Sequence, residues 1–378
     1  LNNSGNDVEG ARVLEQGFAF RDQMPEAERL AFEAVYYQYG PHPDRGKIIE
    51  SYTKLFAKYP EWLTIITTDL LAETYESQRE FAVAESLWAI AVRVAPDEIT
   101  PNYDIIRPQI AQGKFAAARN SIIHARAHRP PLRALDQAEA LLLYNENKVD
   151  SARLVFERNA RATDLTLARS GRFDLSVLEL RAGHVAAFVV RQAQLTSAPG
   201  RPPVPINETA QGVRVATRVL QQPDEAKRRL DAIYARRTPA SNATANSFRD
   251  LNDAALEAEV GRPERARALI QRVDAAKLDS IQQRLTEPAR HAALAWVALA
   301  EGRGLDAVHE FQAADQLRDG ANGFCDICAD PTVGLGFDRA NMPDSAIAAF
   351  EHFVQSPFIY RHNLDAQYLA LVLRRLGQ

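Results

Sequence analysis

The chain has 378 residues, of which 46% are hydrophobic and 25% charged, with a formal net charge of −4. So small a charge gives no electrostatic case for a nucleic-acid or membrane-surface partner. Two cysteines exclude a disulfide-stapled scaffold, and no run approaches the ~20 apolar residues that a membrane-spanning helix needs.

In chain order, the apolar periodicity predicts helices joined in pairs. A first helix covers about 8–21. Pro25 opens the next pair, with Glu26, Glu28 and Glu33 suited to a helix N-terminus. Pairs follow at 26–39 with 44–58, 61–76 with 80–94, 99–112 with 114–128, and 132–145 with 148–160. Gln78-Arg79, Gln112-Gly113 and Glu146-Asn147 mark the turns, with Gly or Asn where a helix must end on a left-handed residue. A pair at 165–182 and 184–196 turns at Gly183. The stretch 197–208 holds four prolines and reads as a linker or long loop between an N-terminal arm, 1–196, and a C-terminal arm, 209–378. The C-terminal pairs are 209–221 with 223–236, 247–260 with 262–275, 284–301 with 304–318, and 327–340 with 343–355. A polar stretch, 238–246, separates the first two. A final helix, 364–376, opens another repeat or caps the array. No strand pair is expected.

The second helices share a pattern. Phe81, Ala84, Trp88, Ala91 and Pro96 recur 34 positions later as Phe115, Ala118, Ile122, Ala125 and Pro130, and a third copy keeps Val149, Ala152 and Phe156. Ala266/Ile270, Ala307/Phe311 and Ala346/Phe350 repeat the alanine-plus-four spacing. Residues three and four apart share a helical face, so a small alanine admits the neighbouring helix and the large residue fills the gap. A 34-residue period of this kind marks tetratricopeptide repeats. The expected fold is therefore all-α: an α-solenoid, a right-handed superhelix of helix–turn–helix units whose core grows along one axis.

In such a solenoid the first helix of each unit lines the concave surface. That places Asp69, Glu73, Glu76, Tyr103, Arg107, Gln137 and Tyr144 as candidate peptide-binding residues. Asp69 and Glu73 stand where some relatives clamp a peptide carboxylate with Lys and Asn, and they would repel one. An extended or helical segment of basic and aromatic character fits better, against the plainer reading of a solvated charged face. Trp296 lies in a helix that is apolar nearly all round, which suits core packing.

Sites for chemistry are few. Cys325 and Cys328 are spaced for a local disulfide, for half of a zinc site, or for two small buried residues; no second ligand pair follows at finger spacing. His124 and His128 share a helical face without the Glu of a metalloprotease helix. Gly334-Leu335-Gly336 lacks the strand and the third glycine of a phosphate loop. No catalytic residue, metal or cofactor is assigned.

The run AVYYQYGPHPDRGKIIESYTKLFAKYPEW, the repeats after it, and the closing CDICADPTVGLGFDRANMPDSAIAAFEHFVQSPF and LDAQYLALVLRRLGQ are similar to the C-terminal tetratricopeptide region of bacterial eukaryotic-type serine/threonine kinases and related multidomain signalling regulators. The resemblance implies a non-catalytic scaffold, the sensory or docking region of a larger bacterial signalling protein, with its effector domain upstream. A small-molecule-sensing solenoid, contacting its ligand through Tyr103, Arg107 and Tyr144, is the alternative. Leu1-Asn2-Asn3-Ser4 is no secretory leader, and both ends look cut from something longer. The expected partner is a protein or peptide, with no nucleic acid and no membrane contact. A homodimer through a terminal helix is open, as is the compartment: cytoplasmic, or extracytoplasmic behind an upstream membrane helix.

Overall fold

A computed structural model describes residues 7–128, 133–197, 206–235 and 242–377. Pro130 and most of the proline-rich stretch, 198–205, lie outside these residues, as does 236–241. The helices are α1 (Asp7–Phe18), α2 (Glu26–Tyr39), α3 (Arg45–Lys58), α4 (Ile65–Ser77), α5 (Phe81–Val94), α6 (Ile99–Asp104), α7 (Ile106–Ala111), α8 (Phe115–His128), α9 (Arg133–Asn145), α10 (Val149–Ala160), α11 (Leu165–Arg181) and α12 (Val185–Ser197). The C-terminal part continues with α13 (Ile206–Arg214), a π-helical turn (Val215–Val219), α14 (Pro223–Ala235), α15 (Ala243–Glu259), α16 (Pro263–Asp274), α17 (Ser280–Ala300), α18 (Gly304–Asp315), α19 (Asp330–Arg339) and α20 (Pro343–Gln355). It ends with α21 (Arg361–Leu364), a second π-helical turn (Asp365–Leu369) and α22 (Ala370–Leu376). The fold is an all-α solenoid of helix–turn–helix units, and no helix among the described residues is long and apolar enough to cross a membrane.

One device recurs at the hairpin turns. Arg79, Gly113, Asn147, Gly183, Gln221, Gly261, Gly302 and Asn341 all take positive φ. In most of them the next amide reaches back five residues, as Glu80 N–H does to the Tyr75 carbonyl and Lys148 N–H to that of Leu143. This closes the first helix with a left-handed cap and reverses the chain in two residues. The second helix then buries its alanine and its large neighbour: Ala84 with Trp88, Ala118 with Ile122, Ala152 with Phe156, Ala266 with Ile270, Ala307 with Phe311 and Ala346 with Phe350. Second helices start at Phe81, Phe115 and Val149, 34 residues apart, and every later interval, through Val185, Pro223, Pro263, Gly304 and Pro343, is longer. The helical glycine Gly334 packs where any side chain would collide with the Phe350 ring, so this glycine pair serves helix packing. Trp296 packs edge-on against Phe311.

Among the details that differ from the sequence reading, the following bear on the site. The helix expected over 99–112 is split at Ile105, because the Pro108 ring clashes with the carbonyl four residues back, that of Asp104. The helix expected to end at 318 stops at Asp315, and a two-residue antiparallel pair follows, β1 (Gln316–Leu317) with β2 (Gly320–Ala321), where no strand was expected. The helix expected from 284 begins at Ser280, capped by Asp279. The final helix begins at Arg361 and does not sit at the open end of the array. It turns inward, and α22 fixes itself to the first π turn through Arg374, which donates to the Arg218 and Val219 carbonyls.

The ends of the array meet. Arg12 on α1 pairs with Asp279 at 2.7 Å, and Arg284 on α17 donates to the Gly40 carbonyl. The backbone N–H and guanidinium of Arg45 donate to Asp319 in the β turn at 2.6 and 2.7 Å. Phe358, Ile359, Ala366 and Val372 share one apolar cluster with Trp88, Leu141, Tyr144 and Phe156. The C-terminal segment is thus built into the core of the N-terminal repeats.

Candidate functional site

The inner face is formed by the first helices of successive pairs: α4, then α6 and α7, then α9 and α11. The chain's own C-terminal segment covers most of it. Asn145 on α9 accepts the Phe358 N–H at 3.0 Å. The Tyr103 and Tyr360 hydroxyls lie 3.3 Å apart, and the Tyr144 hydroxyl donates to Asp365 at 2.5 Å. His362 Nε2 lies 3.4 Å from Asp174 on α11, with both side chains buried. Burial holds the His362 imidazole down to about 3 and pushes the Asp174 carboxyl well above the usual carboxylate range. Gln211 on α13 donates to the Ala366 carbonyl in the second π turn.

The loop carrying the cysteines completes this plug. Cys325 and Cys328 form a disulfide. Beside it, Phe324 packs against Phe358 and Tyr360. Arg79, the left-handed residue of its hairpin, reaches across to chelate Asp315 at 2.9 and 2.5 Å and donates to the Gly323 carbonyl. Burying Phe358, Ile359, Leu369 and Val372 contributes about 1.5–3 kcal/mol each. An incoming peptide would have to replace that burial before it could take the plug's place, so the plug is a structural part of the fold.

The remaining inner face is acidic. Arg107 donates to both oxygens of Glu76 at 2.9 Å, pairs with Asp104 through its third edge, and lies over the Phe324 ring at 5.3 Å. One and two turns earlier on α4, Glu73 and Asp69 form no ion pair among the described residues, and Asp69 Oδ1 is enclosed without a hydrogen-bond partner. Burial, with the charges of Asp104 and Glu73 beside it, pushes the Asp69 carboxyl up to about 7. Burial also raises Asp104, to about 6, against the pull of Arg107. Behind them, the Tyr52 hydroxyl on α3 is buried with no partner, and Tyr39 at the end of α2 is raised to about 12 by burial and by Glu73.

The seven residues expected on the concave face therefore divide. Tyr103, Arg107, Glu76 and Tyr144 are occupied by contacts within the chain, and Gln137 is half-buried on α9. Asp69 and Glu73 remain available. Tyr39, Tyr52 and Asp104, which feel the charge of Glu73, were not foreseen; Tyr39 sits in the last turn of a first helix, a position that periodicity alone points to. Arg79, Asn145, Asp174 and Asp365 carry no sequence mark of their closure role. His124 and His128 lie exposed on α8, their rings 4.3 Å apart. Among the described residues no cluster of three or more His, Cys, Asp or Glu side chains is arranged to hold a metal ion.

No family model matches the chain, and no curated protein matches it. Solved structures do. A tetratricopeptide repeat protein from Parabacteroides merdae aligns over 82% of this chain and 99% of its own, at 14% identity and a TM-score of 0.38. The Cut9–Hcn1 hetero-tetramer of the APC/C aligns over 93% of this chain and 62% of that one, at 11% identity and 0.37. The P58(IPK) TPR domain aligns over 88% and 94%, at 11% identity and 0.25. The repeat assignment rests on this chain's own period and hairpins.

Proposed function

We propose that this protein is a non-catalytic scaffold that binds a segment of a partner protein along its inner face. The observation that carries this reading is the plug itself. The first helices of the repeats already hold a segment of extended and helical chain, 356–369, by aromatic contacts, a backbone hydrogen bond and buried polar pairs. The same face continues, bare and acidic, toward α2 and α4. A groove of this kind accepts a segment by the means it uses on its own chain. The bare section favours a basic and aromatic segment. In keeping with the sequence resemblance, the scaffold would serve as the docking region of a larger bacterial signalling protein.

Panning a displayed peptide library on the folded chain tests this. Enriched peptides should be basic and aromatic, and the charge reversal D69K/E73K should abolish their binding. A library that yields no binder, or binders indifferent to that reversal, would refute the proposed groove.

A further inference from the structure

We infer that the Cys325–Cys328 bridge is a thiol-controlled latch on the plug: a dithiol reductant opens it, and Phe324 then lets go of Phe358 and Tyr360. The latch stands without the scaffold reading, because it concerns only how the chain closes on itself.

The place of the bridge in the fold carries this. The connections into other first helices are short, 95–98 and 161–164 among them. The one between α18 and α19, 316–329, crosses the array instead. Asp319 receives Arg45 of α3, and the Gly323 carbonyl receives Arg79. Phe324 touches Phe358 and Tyr360 and lies beneath the Arg107 guanidinium of α7. The bridge ties Cys325, next to Phe324, to Cys328, just ahead of α19. Between the two, Ile327 is fully buried in the apolar cluster, so the Cys328 side stays anchored with or without the bridge. The Phe324 side is held by its ring contacts and by the Arg79 bond to Gly323. Cutting the bridge therefore loosens Phe324 first.

Both cysteines are half-buried and pack against the cluster from outside, so a reductant meets them from solvent. A bridge closing so short a loop removes little chain entropy from the unfolded state, which makes it a weak staple and suits it to local control. The closed loop also carries a cost. Asp326 Oδ1 is enclosed without a hydrogen-bond partner among the described residues, and burial raises that carboxyl. Opening returns it to water. The chemistry is exchange. A thiolate of the reductant attacks one bridge sulfur and displaces the other, which takes up a proton. The second thiol of the reductant then attacks the mixed disulfide, releases the remaining cysteine as a thiol, and closes the reductant into its own disulfide. Two electrons and two protons have passed from reductant to protein.

The test follows hydrogen exchange of the full chain before and after dithiothreitol under native conditions, with thiols counted by maleimide labelling and intact mass. The oxidised parent should label no thiol, and 356–363 should exchange as slowly as α9. The reduced parent should label both cysteines, and 356–363 should exchange at least about tenfold faster while α9 and the α15–α16 hairpin keep their rates. C325S/C328S should match the reduced parent and ignore the reductant, which separates the bridge from any direct effect of the reagent. Replacing dithiothreitol by its oxidised form should restore the slow rate in the parent. Labelled thiols with unchanged exchange, no labelling under native conditions, or faster exchange that spreads to α9 and the α15–α16 hairpin would each overturn the latch. If C325S/C328S fails to fold, the parent taken through reduction and reoxidation decides alone.

Discussion

The two ends of the inner face use similar side chains to opposite effect. Over α9 and α11, Tyr144 and Asn145 are matched by Asp365 and the Phe358 amide, His362 lies beside Asp174, whose two oxygens accept no hydrogen bond among the described residues, and apolar contacts close around them. Over α4, Asp69 and Glu73 form no ion pair among the described residues, and the Asp69 Oδ1 is enclosed without a hydrogen-bond partner. The first arrangement stabilises the array. The second leaves Asp69 Oδ1 enclosed without a donor, which costs stability.

The largest effect should come from the plug. Phe358→Ala removes a buried ring from the shared core and should cost about 3–5 kcal/mol in denaturant unfolding. A loss below ~1 kcal/mol would show that the segment is not seated. Acid acts on the same region. The His362 imidazole is held far below its unfolded value of 6.5, so the unfolded chain takes up the proton first as pH falls. Its contribution is complete above about pH 6.5 and is lost progressively toward pH 3. The acid loss should therefore be smaller in His362→Asn than in the parent when the two are titrated together.

Next is the strut across the array. Arg79→Ala should cost about 2 kcal/mol, because it leaves Asp315 half-buried and unpaired. Asp315→Ala in the same background should add little, and a double-mutant cycle with additive losses would contradict the pair. The smallest change should be a gain. Asp69→Asn should stabilise by about 1 kcal/mol at neutral pH. The sign follows from the raised carboxyl. Between about pH 4 and 7 the unfolded chain gives up this proton first, so the parent loses stability as pH rises, and the variant should not. A variant less stable than its parent at pH ~7.5 would show that Asp69 is satisfied after all.

The hairpins were legible because they are local. Ala84 with Trp88, Ala118 with Ile122 and the glycines and asparagines of the turns announce helix, contact and reversal within a few residues. Arg79 was legible as a turn, but not as the left-handed residue that grips Asp315, since nothing near it in sequence names so distant a partner. Closure of the array escaped for the same reason. Arg12 with Asp279, Tyr103 with Tyr360 and Tyr144 with Asp365 are pairs that no period generates. The last helix was read as opening another repeat or capping the array; its inward turn depends on the space that the curved array leaves for it. Of the site, Asp69 and Glu73 were visible from their register on a first helix. That neither forms an ion pair among the described residues became visible only in the folded chain.

Hydrogen exchange of the intact chain, read over Phe358 to Leu369, tests the closed architecture most directly. If this segment is core, its amides should exchange as slowly as those of α9 and open together with them. Exchange at the rate of an unprotected chain, while α9 stays protected, would contradict the closure and free the whole inner face.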